Sequence, residues 1–122
     1  MNVRHLRWFA PFLALILLLA ACTAPAVDEK PQFASEKHLD DHYVKHVIRQ
    51  KEFGNISKEE YLRRAQELVT SEPGGDILVK RRSNGDRLFY NQRTNEFAVL
   101  TEDGIIRTFF KPRDGIDYFR RQ

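Results

Sequence analysis

The sequence predicts an α+β fold: two N-terminal helices packed on a four- to five-stranded antiparallel sheet. Two observations predict it. Apolar residues recur at helical spacing up to about Val69. After Gly75 the pattern changes to short apolar runs separated by turn residues.

The first helix is expected from Ser35, a side chain suited to an N-cap, to about Gln50. Leu39, Tyr43 and Val47 form its apolar stripe, with His42 and His46 beside it and His38 turned toward solvent. "KEFGN" breaks the helix at Gly54. Ser57 opens the second helix, and Glu60 three residues on completes a capping-box pattern. Tyr61, Leu62, Ala65, Leu68 and Val69 form its core face, and "SEPGGD" ends it. The strands are then "ILVKR", "RLFYN", "EFAVL" and "IIRTFFK". Asn84-Gly85 is a hairpin signal between the first two. "IDYFRRQ" reads as a short fifth strand. Alternation in "IIRTFFK" sends Ile106, Thr108 and Phe110 to one face and Ile105, Arg107, Phe109 and Lys111 to the other, unless a bulge intervenes. The helices are expected on one sheet face, and the other face can stay open.

Residues 1–21 are set apart from this fold. Arg4 and Arg7 precede an apolar run, "FAPFLALILLLA", too short and wrongly flanked for a stable spanning helix. It leads into "LAAC", Leu19 to Cys22, which resembles the bacterial lipoprotein lipobox. That resemblance implies cleavage before Cys22, lipid (palmitate among the chains) on Cys22, and a cell-envelope location. Thr23 after the cysteine, in place of Asp, implies the outer membrane, facing periplasm or surface. The plainer alternative is an ordinary signal peptide with a chance cysteine. Residues 22–35, rich in proline and mixed charge, read as a tether, and residues 36–122 as one small domain. With a single cysteine, an intramolecular disulfide is excluded. Acids predominate up to Asp76 and cations after it, so the C-terminal half is suited to phosphates or is simply a solvated basic face.

Three of the chain's four histidines lie on the first helix, in "HLDDHYVKH". Histidine suits both proton transfers in RNA cleavage by the 2′-hydroxyl, because its ordinary pKa lies near neutrality. Cations and hydroxyls must also stabilise the charge growing on phosphorus. His42, Lys45, His46, Arg107, Thr108 and Lys111 are residues of those types. A histidine ladder can also chelate zinc or copper. However, the chain lacks "H-E-x-x-H", Asp40 and Asp41 point away, and no metal or other cofactor is expected. A third alternative is a binding sheet whose aromatics (Phe89, Tyr90, Phe109, Phe110, Tyr118, Phe119) stack bases or form core.

The order of the motifs separates these readings. "H-x-x-K-H", "F-G", "S-x-x-E-Y", then "Y-x-x-x-T-N-E-F" and "G-x-I-x-T-x-F-K-P", resemble a bacterial toxin-domain family grouped with barnase-like and colicin D-like ribonucleases. The resemblance covers about residues 36–122. It implies a metal-independent endoribonuclease with His42, Lys45, His46 and Thr108 as site residues, His46 as the principal acid/base, and Arg107 and Lys111 on the substrate phosphate. It further implies RNA, tRNA among the candidates, as substrate, a cognate immunity protein as partner, and a membrane tie through the lipid on Cys22. The alternative is a non-catalytic envelope lipoprotein that uses the same fold to bind a partner or polyanion.

Overall fold

The computed structural model describes residues 29–122. The expected signal segment, Cys22 and half of the tether lie outside the described residues. The elements are β1 (Gln32–Phe33), α1 (Glu36–Tyr43) continued by a π-helical segment (Val44–Arg49), α2 (Lys58–Val69), β2 (Ile77–Arg81), β3 (Arg87–Asn91), β4 (Glu96–Leu100), β5 (Ile105–Phe110) and α3 (Ile116–Arg121). The strands form one five-stranded sheet in the order β1-β5-β4-β3-β2. The fold is α+β, as expected, with an antiparallel meander from β2 to β5.

Three expectations are corrected. The fifth strand is β1, not the C-terminal segment, and it runs parallel to β5, pairing Gln32 with Ile105 and Phe33 with Ile106. It therefore lies inside the stretch read as tether. Two residues are too few to show a period, but Phe33 is a core residue. The C-terminal segment is instead the helix α3. Its Asp117 sits in the first turn and Arg120 and Arg121 in the last, which suits the helix dipole. Finally, α3 covers part of the sheet face that the sequence left free to stay open, where Phe119 packs with Leu88, Tyr90, Phe97 and Val99.

The main core lies on the opposite face. Leu39 and Val47 of the first helix, Tyr61, Ala65, Leu68 and Val69 of α2, and Phe33 pack on Phe89, Ala98, Leu100, Ile106 and Phe109. Tyr61 sits in the middle, in ring contact with Phe33, Tyr43, Phe53 and Phe109. Its hydroxyl donates to the Phe109 carbonyl. Both helix starts are capped as expected. Ser35 Oγ accepts from the His38 N–H at 3.1 Å, and Ser57 Oγ accepts from the Glu60 N–H at 3.1 Å. The return half of the capping box at Ser57 does not form, because Arg63 and Arg64 take the Glu60 carboxylate instead.

The alternation expected in β5 is broken by a bulge. Leu100 pairs with Ile106 and Val99 with Thr108, leaving Arg107 as the extra residue. Ile106 and Phe109 consequently share the face under α1 and α2, while Phe110 joins the cluster under α3.

Candidate active site

β1 covers only the first two residues of β5. Beyond them the outer edge of β5 has no strand partner among the described residues, and the C-terminal turns of the first helix sit there instead. From Val44 those turns are π-helical, with i→i+5 spacing in place of i→i+4. His42 and His46 thereby enter a column of four rings. Phe33 lies 5.3 Å from His42, His42 lies 5.8 Å from His46, and His46 lies 5.2 Å from Phe110 at an interplanar angle of 15°. The column links β1 to the end of β5.

His46 is buried, with a side chain 7% exposed, and its Nδ1 lies 2.9 Å from Glu52 Oε2. The other oxygen, Glu52 Oε1, accepts from the Lys111 backbone N–H at 2.8 Å. The chain reverses to make this contact. Lys51 takes a left-handed conformation at φ 53°, and the Glu52 N–H closes onto the His46 carbonyl at 2.9 Å. Glu52 escapes a sequence reading because it stands in the break after the helix, where no periodicity applies. The available signal is an acid six residues after a histidine across a helix end. His46 Nε2 has no protein partner and is not among the buried unpartnered atoms, so it is open to the groove that the ring lines.

His42 is half-buried, and its Nδ1 is fully enclosed without a hydrogen-bond partner. Burial first, and then the charges of His46, Lys45 and His38, push its imidazole below the ordinary value of 6.5. His42 is therefore neutral at neutral pH. This has a linked effect on stability. Above pH 6.5 neither the folded nor the unfolded chain holds a proton here, and the contribution is full. As the pH falls through 6.5 the unfolded chain is protonated first, and stability is lost until the lower folded value is passed. We expect His42→Phe to gain about 1 kcal/mol at neutral pH, because an enclosed unpartnered nitrogen is removed. The same change should weaken the loss of stability on acidification. Urea unfolding at neutral and mildly acidic pH measures both.

The two imidazoles open onto a groove of about 1020 Å³ whose lining also includes Lys45, Thr108 and Lys111. Five of the six residues expected at the site thus meet there. Arg107 does not, because its Nε donates to Asp86 Oδ2 at 2.9 Å, which ties β5 to the β2–β3 hairpin. The Arg107 guanidinium in turn holds the Asp86 carboxyl below its ordinary value. The bulge explains the exchange, since it brings Thr108 to the groove and turns Arg107 away. His38 is exposed, its Nδ1 2.8 Å from Ser35 Oγ, and stands outside the groove as expected.

Further groove residues come from the loop after β5, which contributes Arg113, Asp114 and, from α3, Tyr118. Asn95, at φ 60°, shapes this loop: its side chain accepts from the Tyr90 hydroxyl at 2.6 Å and donates to the Pro112 carbonyl at 3.0 Å. Asp114 is taken by Arg121 at 2.9 Å. Among the described residues, Lys45, Lys111 and Arg113 have no carboxylate within ion-pair distance. The groove therefore presents uncommitted positive charge beside two imidazoles. Also among the described residues, no group of three or more histidine, cysteine or acidic side chains is placed to hold a metal ion.

No curated protein matches the sequence. Among solved structures, a ribonuclease from Escherichia coli in complex with its inhibitor protein is similar to this chain at a TM-score of 0.43 and 19% identity, covering 67% of this chain and 95% of that one. The family model described as "Uncharacterised protein aq_aa01" matches residues 28–120, from ahead of β1 into the last turn of α3, and the chain belongs to that family.

Proposed function

We propose that this chain is a metal-independent endoribonuclease of the toxin type, cleaving RNA through attack of the 2′-hydroxyl on the adjacent phosphorus. The observation that carries the reading is the convergence of His42, Lys45 and His46 with Thr108 and Lys111, over sixty residues apart in sequence, on one open groove. His42, kept neutral by burial, accepts the 2′-hydroxyl proton. His46 delivers a proton from Nε2 to the leaving 5′-oxygen. Lys45 and Lys111, joined by Arg113, hold the phosphate, and the Thr108 hydroxyl donates to a non-bridging oxygen as charge grows on it. The 2′-oxygen–phosphorus bond forms, the 5′-oxygen–phosphorus bond breaks, and a 2′,3′-cyclic phosphate is left.

On the same reading Cys22 carries the lipid that ties the protein to the envelope membrane, and a cognate inhibitor protein neutralises precursor in the cytoplasm. The test uses the chain from Thr23, which contains every residue of both cores, mixed with total RNA in EDTA. Fragments ending in cyclic phosphate are expected. Intact RNA, together with normal growth of cells expressing the chain in the cytoplasm, overturns the reading.

A further inference from the structure

Glu52 belongs to none of the motifs that mark the site, yet it is the residue that joins the site's two halves. Its side chain is 13% exposed. One oxygen meets His46 Nδ1 at 2.9 Å, and the other accepts from the Lys111 N–H at 2.8 Å. That second bond fixes which way the carboxylate faces. An amide N–H can only donate, so Oε1 is committed as an acceptor. Oε2 of an ionised carboxylate is likewise only an acceptor. The proton between Glu52 and His46 therefore belongs to Nδ1.

We propose that Glu52 is a positioning residue for His46. It holds the neutral imidazole in the Nδ1–H tautomer and so leaves Nε2, the nitrogen open to the groove, as the atom that exchanges protons with RNA. The proposal rests on the nuclease reading for its consequence in turnover, but not for the tautomer itself. Three features make the assignment stable. The ring is held in plane between His42 and Phe110, and of its two in-plane orientations only the one that turns Nδ1 toward Glu52 makes the 2.9 Å bond. The backbone bond from the Glu52 N–H to the His46 carbonyl at 2.9 Å ties the two residues independently of their side chains. The Lys111 N–H holds Glu52 Oε1 from the backbone, so the carboxylate keeps its orientation whatever the Lys111 side chain does.

The chemistry of the substitution Glu52→Gln follows directly. An amide has one oxygen and one NH₂. If the oxygen keeps the Lys111 N–H, the NH₂ faces His46 Nδ1, which must then accept, and the proton moves to Nε2. With Nδ1 held as an acceptor, the ring no longer carries protons on both nitrogens, and the imidazolium that gives up the Nε2 proton is disfavoured. A comparable change of histidine partner lowers turnover by roughly 10²–10⁴-fold in enzymes that depend on it.

The experiment uses the full chain in detergent, labelled with ¹⁵N at histidine. Long-range ¹H–¹⁵N correlation at a pH where His46 is neutral reads its tautomer. The expected result is Nδ1–H in the parent protein and a shift toward Nε2–H in E52Q. Cleavage kinetics should show kcat falling about 10²-fold or more with KM changed less than about threefold, because substrate contacts are untouched. A parent protein whose neutral His46 carries its proton on Nε2 overturns the proposal without any variant, even if E52Q does not fold. An E52Q protein with parental tautomer and parental kcat overturns it as well. If the parent protein leaves RNA intact, the nuclease reading fails while the tautomer measurement still judges Glu52.

Discussion

His46→Ala is expected to abolish RNA cleavage, with a fall in kcat of about 10²–10⁴-fold and a smaller effect on RNA binding. The variant deletes the only imidazole among the described residues that is backed by a carboxylate, and with it the middle of the ring column between His42 and Phe110. It also leaves Glu52 Oε2 without its partner in a largely buried site, which costs about 1–3 kcal/mol. Loss of activity could then be confused with loss of structure. His46→Asn separates the two. Its side-chain NH₂ can still donate toward Glu52, so more of the stability is kept, yet it cannot transfer a proton. Equal loss of cleavage in both variants, with a higher unfolding midpoint for His46→Asn, is the expected pattern. Near-parental cleavage by His46→Asn removes His46 from the chemistry.

The second large effect is structural. Tyr61→Ala is expected to destabilise the domain by about 3–5 kcal/mol from the lost ring alone. The Phe109 carbonyl, which accepts the Tyr61 hydroxyl, is left unpaired in the core. Set against a typical total of about 5–15 kcal/mol for a domain, this leaves much of the protein unfolded at growth temperature. Tyr61→Phe keeps the ring and loses only the hydroxyl, at a cost of about 1–3 kcal/mol. The ratio of the two, measured by urea unfolding, reports how far the four-ring cluster around Tyr61 rather than its hydrogen bond holds the helices on the sheet. A Tyr61→Ala protein as stable as the parent contradicts the placement of Tyr61 at the centre of the core.

The parts of this molecule that were legible in the sequence are those with a period or a cap. α2 shows its stripe over twelve residues, and Ser57 and Ser35 each cap the helix that their position suggests. The four strands of the meander lie where alternation and turn residues put them. What was not legible has a common physical origin, in that each case depends on a partner distant in the chain. β1 is two residues long and exists because β5 offers an edge. α3 has a strand-like composition and becomes a helix on a sheet face that is already formed. The bulge at Arg107 is a register effect between β4 and β5, and no single strand records it. At the site, residue type and order pointed to His42, Lys45, His46, Thr108 and Lys111, which do converge. Arg107 was misplaced by the bulge. Glu52 was invisible because its role arises from a left-handed turn at Lys51, a residue with no special tendency to adopt one.

The brevity of β1 also has a mechanical meaning. Among the described residues, the chain is joined to the fold here by the Pro31 carbonyl, which accepts from Gln66 Nε2 at 3.0 Å, and by Gln32 and Phe33; Phe33 lies in direct ring contact with both His42 and Tyr61. Tension along that chain is therefore carried by one side-chain hydrogen bond, two strand residues and the Phe33 ring before it reaches the groove. β1 and the candidate site share this short link, so a pull strong enough to strip β1 from the sheet withdraws the ring on which His42 rests.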